Sequence, residues 1–207
     1  MEFLYIIPIS YLLGSIPFAY LFVKKHSGKD LRKEGTGNIG SMNSYDVTGK
    51  KWIGITVAIC DCLKAILAMF LAWLIAGDYP ISYVFASFFV ILGHNYNVFL
   101  CFRGGRGLAP ALGCFLLLNL FFPVVWGILW LIAYYFTKKD VHYSNAIATF
   151  VVPFFPFFIP YSFLKHFSVV FYFPETHLKI ALVLVCFLVL SKHLTQIAKP
   201  ILKYEKK

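Results

Sequence analysis

Arg32-Lys33-Glu34-Gly35-Thr36-Gly37-Asn38-Ile39-Gly40-Ser41-Met42-Asn43 is a glycine-spaced, cationic stretch set between two long apolar runs. A second stretch of the same kind, Arg103-Gly104-Gly105-Arg106-Gly107, separates two later apolar runs. The flanking runs approach the roughly 20 residues that a helix needs to cross a bilayer. Backbone that leaves the helix in a membrane protein is tolerated only where protein or water satisfies it. Two glycine-rich, positive loops therefore point to one shared anion pocket at a membrane face. Glycines let backbone N–H groups close on an anion, while Arg and Lys neutralise its charge. The second loop runs straight into a helix N-terminus, which adds partial positive charge. A phosphate-bearing ligand is the natural guest. Neither loop is a Walker motif, which ends in Gly-Lys-Ser/Thr.

The bulk composition agrees with a membrane chain. Of 207 residues, 60% are hydrophobic and 19% aromatic, and the mean hydropathy is +0.75. Residues 1–207 are expected to form a single polytopic membrane domain, with no room for a separate soluble one. The net charge of +10 is concentrated at the ends of apolar runs, a positive-inside pattern that argues against nucleic-acid binding. The first apolar run, Phe3 to Val23, has Glu2 where a signal peptide would be basic and exceeds a typical h-region, so it is read as a retained helix. Cys60, Cys62, Cys101, Cys114 and Cys186 make no CxxC or Cys/His ligand spacing and read as small buried hydrophobes. Neither a metal site nor a cofactor is expected.

The expected fold is all-α with seven transmembrane helices, the N-terminus outside and the C-terminus cytoplasmic. Helices are expected at about 3–23, kinked at Gly14-Ser15-Ile16-Pro17, then at 52–76 and 81–97. Proline removes a backbone donor there, and Ser15 can bond back to a freed carbonyl. Asp61 and Lys64, three apart on the second helix, lie deep enough that they should pair and face the bundle interior. The pair reads equally well as a packing device or as a functional one. Leu108 to Phe136 is a long apolar run broken by Asn119, Pro123 and Gly127. Charge placement selects a hairpin of two short helices over a single tilted one. The hairpin puts seven basic residues of 24–51, Arg103 and Arg106, Lys138 and Lys139, and five in the tail on one side. A sixth helix, about 144–164, contains Pro153, Pro156 and Pro160, and a seventh, about 178–195, ends at Lys192-His193 and a basic tail.

His193 is placed to act as a general acid/base or hydrogen-bond donor, although a lone interfacial histidine is more often structural. No Ser-His-Asp relay is visible, because the chain lacks a nucleophile elbow and carboxylates are scarce.

Together these segments resemble a known family. Gly14-Ser15-Ile16-Pro17, the 32–40 stretch with Asn43, and Asp61-x-x-Lys64 are similar to the first part of the bacterial acyl-phosphate:glycerol-3-phosphate acyltransferases, the PlsY family. Gly93-His94, Val98-Phe99 and Phe102-Arg103-Gly104-Gly105-Arg106-Gly107 resemble its second motif. Ser144 and His193 fall where that family has its later serine and histidine. The resemblance implies a seven-helix enzyme of the bacterial cell membrane with its active site facing the cytoplasm. Its substrates would be acyl phosphate and glycerol 3-phosphate, its products lysophosphatidate and phosphate, and it would use neither coenzyme A nor metal. By the same resemblance Gly35, Thr36, Gly37, Asn38 and Asn43 line a first phosphate loop, and Gly104, Gly105, Arg106 and Gly107 a second. Ser144 and His193 would orient the reacting groups, with Asn38 and Thr36 as further catalytic candidates. Gly40, Ser15 and Gln196 complete the substrate-binding set.

The sequence also departs from the family pattern. Thr36 stands for a serine, Arg106 for a lysine, Met42 and Pro110 for threonines, Asn97 for a proline, and Gln196 for an asparagine. Asp46 stands where a phosphate-binding arginine is expected. At ~6 Å and an effective dielectric of 20, a favourable charge pair is worth about 2.8 kcal/mol, and reversal loses it. These departures define two alternatives: a paralogue with another acceptor, and a non-catalytic protein that binds or transports lipid phosphates.

Overall fold

A computed structural model of the chain describes residues 2–169 and 173–204, with side chains described through 198. Every regular element among them is helical. The chain forms two compact units, Met1–Cys114 and Phe115–Lys207. Among the described residues, five segments are long and apolar enough to cross a membrane: Phe3–Ser27, Lys51–Ala76, Pro80–Leu100, Val141–Phe158 and Glu175–Ala198. The 26 residues of Lys51–Ala76 give about 39 Å of helix, ample for a hydrocarbon core of ~30 Å.

In the first unit the opening span is two helices, α1 (Phe3–Gly14) and α2 (Phe18–Ser27). Proline 17 cannot donate, and the carbonyls around the break find partners elsewhere. Asn97 Nδ2 donates to the Ser15 carbonyl at 2.6 Å and Lys64 Nζ to the Ile16 carbonyl at 3.0 Å. The Ser15 hydroxyl does not bond back within its own helix. It donates to the Gly93 carbonyl at 3.3 Å, across the close contact between α1 and α5 (Pro80–Asn95). A Cβ at Gly14 would overlap the Val90 carbonyl, and one at Gly93 the Tyr11 carbonyl. Small residues at these two points are what permit the approach.

The polar segment after α2 contains a helix that the sequence reading treated as loop, α3 (Ser41–Thr48). It packs on α4 (Lys51–Ala76), which in turn packs on α1 and α5. Gly54 of α4 makes this possible, since a Cβ there would press on Tyr45 and the Ser41 carbonyl. Ala19, Val23, Leu31, Ile39, Ile53, Val57 and Leu100 form a buried cluster at this end of the unit. That cluster roots both glycine stretches in apolar packing. Fully burying one such aliphatic side chain contributes about 1.5–3 kcal/mol.

The apolar run from Leu108 to Phe136 is two helices, α6 (Leu108–Leu118) and α7 (Phe121–Phe136), as expected. Buried Asn119 makes the break. Its Oδ1 accepts from Phe121 N–H at 3.1 Å, and its Nδ2 donates to the Leu164 carbonyl at 2.9 Å. The sixth expected helix starts earlier than 144 and ends earlier than 164. As α8 it spans Val141–Val151, because the Asp140 carboxylate accepts from His142 and Tyr143 N–H and caps it. Prolines 153, 156 and 160 then split the rest into a 3-10 turn (Val152–Phe154), α9 (Phe155–Phe158) and α10 (Tyr161–Leu164). The Trp126 indole donates to Thr149 Oγ1 at 3.0 Å and ties α7 to α8. The last helix, α11, runs from Glu175 to Tyr204, beyond the expected 178–195, and packs on α8. Lys206 and Lys207 of the basic tail lie outside the described residues.

Candidate functional site

Both glycine loops belong to the first unit, and they meet. Ile39 N–H points to the Gly104 carbonyl at 3.5 Å, and a Cβ on Gly105 would strike the Ile39 carbonyl. Gly105 N–H also donates to the His94 carbonyl at 2.9 Å. A Cβ on Gly104 would overlap the His94 and Asn95 carbonyls, and one on Gly105 the His94 ring. Gly105 is therefore required by close approach rather than by its backbone angles.

The first loop is shaped by one side chain. Asn43, on α3 and buried, accepts from Thr36 N–H at 2.9 Å and donates to the carbonyls of Glu34 at 3.1 Å and Asn38 at 3.0 Å. Three of its four hydrogen-bonding positions are used within the loop. Asn43 thus builds the loop and leaves little of its amide for a ligand. Gly35 and Gly37 have positive φ, 56° and 71°, which lets the chain turn back on itself there. Thr36 is exposed and Asn38 half-buried, so these two candidates are within reach of a solute. Gly40 is buried at the start of α3, where the Asn38 amide would sit against any Cβ. Arg32, half-buried, is engaged with neighbouring residues of the protein. Its guanidinium pairs with Asp30, Nη2 to Oδ2 at 2.7 Å and Nε to Oδ1 at 3.0 Å, and lies 5.2 Å from the Tyr20 ring centre. The hydrogen bonds from Arg32 hold the Asp30 carboxyl down to about 2.

In the second loop Arg106 is half-buried, and desolvation pushes its pKa down. An arginine starting so high stays charged. Arg103 is exposed, and Gly107 turns the chain into α6 with φ of 85°. Beneath this loop lies a group that the sequence reading saw only in part. Asp61 and Lys64 pair at 2.8 Å as expected, and His94 joins them, its Nδ1 3.1 Å from Lys64 Nζ and 3.5 Å from Asp61 Oδ1. The i, i+3 spacing revealed the first two. No periodicity links residue 94 to residue 64, so the third was out of reach. Ser15, a binding candidate, is fully buried and engaged with Gly93. Asp46 is exposed on α3, as is Met42.

The second unit carries Ser144, His193 and Gln196. Ser144 is buried on the first turn of α8. Its hydroxyl donates to the Asp140 carbonyl and lies 3.0 Å from Thr137 Oγ1. With its proton so committed, the Ser144 oxygen can act only as an acceptor toward any further group. Thr137 and Asp140 were missed as members of this cluster, although Asp four residues before Ser at a helix start was a readable cap signal. His193 is buried on α11, and its Nδ1 lies 2.9 Å from the Val189 carbonyl. A carbonyl only accepts, so Nδ1 carries the proton and Nε2 is the basic nitrogen of the neutral ring. Gln196, half-buried, follows on the same face of α11.

Residues 4–203 match the family model described as glycerol-3-phosphate acyltransferase. A glycerol-3-phosphate acyltransferase of Trichlorobacter lovleyi is 36% identical over 96% of this chain and 93% of its own length. One from Pelagibacter ubique is 36% identical over 74% of this chain and 78% of its own. Among solved structures, the glycerol 3-phosphate form of PlsY, an integral membrane glycerol 3-phosphate acyltransferase, superposes with a TM-score of 0.76. It is 27% identical, with 98% of this chain and 94% of that one covered.

Proposed function

The chain belongs to the glycerol-3-phosphate acyltransferase family, and from that premise we propose how its residues carry out the transfer. It is a multi-pass membrane acyltransferase of phospholipid synthesis, moving a fatty acyl group from acyl phosphate to the 1-hydroxyl of glycerol 3-phosphate. Lysophosphatidate and phosphate are the products. The observation that carries the residue-level reading is the meeting of the two glycine loops at Ile39 and Gly104. Two phosphorylated substrates need two neighbouring anion cradles.

In this reading Gly35, Thr36, Gly37 and Asn38 hold one phosphate, and Gly104, Gly105, Arg106 and Gly107 the other. Asn43 and Gly40 shape the first cradle. The acceptor oxygen attacks the acyl carbonyl, the carbon–oxygen bond to phosphate breaks, and the hydroxyl proton passes to a phosphate oxygen. An acyl phosphate is already activated, so positioning and charge neutralisation supply much of the rate. Ser144 as an acceptor and His193 through Nε2 are assigned to orienting the reacting groups, with Gln196 as a binding residue. Seven membrane helices in one polytopic domain, the N-terminus outside and the loops and C-terminus cytoplasmic, complete the proposal. Positive charge on the loops and tail supports that orientation.

The test is phosphate release and lysophosphatidate formation from palmitoyl phosphate by purified protein in lipid, with and without glycerol 3-phosphate. Acceptor-dependent release, reduced ~100-fold or more in His193→Ala, is expected for a residue that positions reacting groups. Release that ignores the acceptor would reassign the acceptor, and an unaffected His193→Ala would remove His193 from the chemistry.

A further inference from the structure

The Lys64 ammonium has three donors and no acceptor. Three acceptors surround it: Asp61 Oδ1 at 2.8 Å, the Ile16 carbonyl at 3.0 Å and His94 Nδ1 at 3.1 Å. Donation from the Lys64 ammonium into Nδ1 leaves the proton of a neutral His94 on Nε2. That nitrogen is the atom that occupies the space a Gly105 side chain would need, and the Ile39 carbonyl borders the same space. One buried chain of contacts therefore runs from the break between α1 and α2, through α4 and α5, to the point where the two glycine loops meet. Lys64 and Asp61 are both almost completely buried. Burying two charges is costly, and removing a single partner from such a pair is more so. The cost is borne directly under the second loop.

We propose that Asp61, Lys64 and His94 are positioning residues for acyl transfer: the ion pair locks the His94 tautomer, and His94 sets the height of Gly105 and so the spacing of the two phosphate loops. None of the three touches substrate. The proposal rests on reading Gly104–Gly107 as a phosphate loop, and the test separates the two.

Asparagine at 94 can still accept from Lys64 at the Nδ1 position but does not reach Gly105. Glutamine at 94 can place a donor near the Nε2 position. Kinetics of glycerol 3-phosphate and palmitoyl phosphate would be measured for His94→Asn, His94→Gln and Arg106→Gln in lipid, normalised to the folded fraction from thermal melting. The expected result is a KM for a phosphorylated substrate raised about tenfold in His94→Asn with kcat changed less than twofold, and most of that rise recovered in His94→Gln. Unchanged kinetics in folded His94→Asn, with Arg106→Gln impaired, overturns the relay and spares the loop reading. A silent Arg106→Gln overturns the loop reading and the relay with it. Equal losses in both His94 variants that follow only the folded fraction make the triad purely structural. Should His94→Asn not fold, Lys64→Arg takes its place, since a planar guanidinium cannot reproduce the three contacts of an ammonium. An unchanged KM there also overturns the proposal.

Discussion

The first glycine loop is held from within and the second from outside. Between residues 34 and 43 one side chain, Asn43, bonds three backbone groups of its own loop. Between 103 and 107 the packing of glycine backbone against neighbouring groups sets the shape. Gly104 and Gly105 sit flush against the His94 and Asn95 backbone, the His94 ring and Ile39. The first loop depends on the identity of a side chain and the second on the absence of one. Two loops of similar composition can therefore fail in opposite ways, the first by losing donors and the second by gaining atoms.

The comparison can be broken most sharply at Gly105. A Gly105→Ala side chain has no space between the His94 ring and the Ile39 carbonyl, and the loop must shift by a sizeable fraction of an ångström or more. Acyl transfer should fall about 100-fold, with melting showing whether the fold is kept. Wild-type rates in this variant would mean that the second loop is not held from outside. Next is Asn43→Asp, nearly isosteric, which keeps the acceptor for Thr36 N–H and turns the two donor contacts into repulsions. A loss of about 2 kcal/mol in stability and roughly tenfold in kcat/KM is expected. Gentler effects than Asn43→Ala would show that the loop does not rely on those donors.

A smaller effect is expected at Ser144→Ala, which removes the hydroxyl's contacts with the Asp140 carbonyl and Thr137 Oγ1, together worth about 1–2 kcal/mol. Melting reads that stability term directly. A loss in kcat far beyond it would add evidence that the hydroxyl touches a reacting group. The smallest is at Asp30. Its carboxyl is depressed to about 2, so its anchoring of Arg32 is complete above the unfolded value near 3.9 and fades only as pH falls from there through about 2. Hydrogen exchange of the 30–38 amides should be flat from pH 5 to 8 after correction for intrinsic rates, with local loosening in Asp30→Asn. A pH-dependent loosening within that range would assign the anchor to another group.

Much of this is legible in the sequence. The breaks at Gly14–Pro17 and at Asn119, the Asp61–Lys64 pair and both glycine loops each follow from residues close in sequence, where proline, glycine and i, i+3 spacing act locally. Other features were not. Helix α3 lies within a polar, loop-like segment, and its stability comes from packing on α4 at Gly54. The family resemblance put Asn43 among the substrate-binding residues, and only the packed structure shows its three partners within the loop. Ser15 was expected to bond within its own helix, and the closeness of α5 redirected it to Gly93.

By itself the sequence determined the class of molecule, its helical membrane runs, its charge asymmetry and its two anion-suited loops. These depend on composition and short-range spacing, which the chain carries wherever it folds. Tertiary structure alone decided that the two loops meet at Ile39 and Gly104, that His94 completes the buried pair, and which partners within the protein Asn43, Ser15 and Arg32 take. Such assignments rest on which polar groups compete for each partner, and residues tens of positions apart settle that competition only once they are packed together.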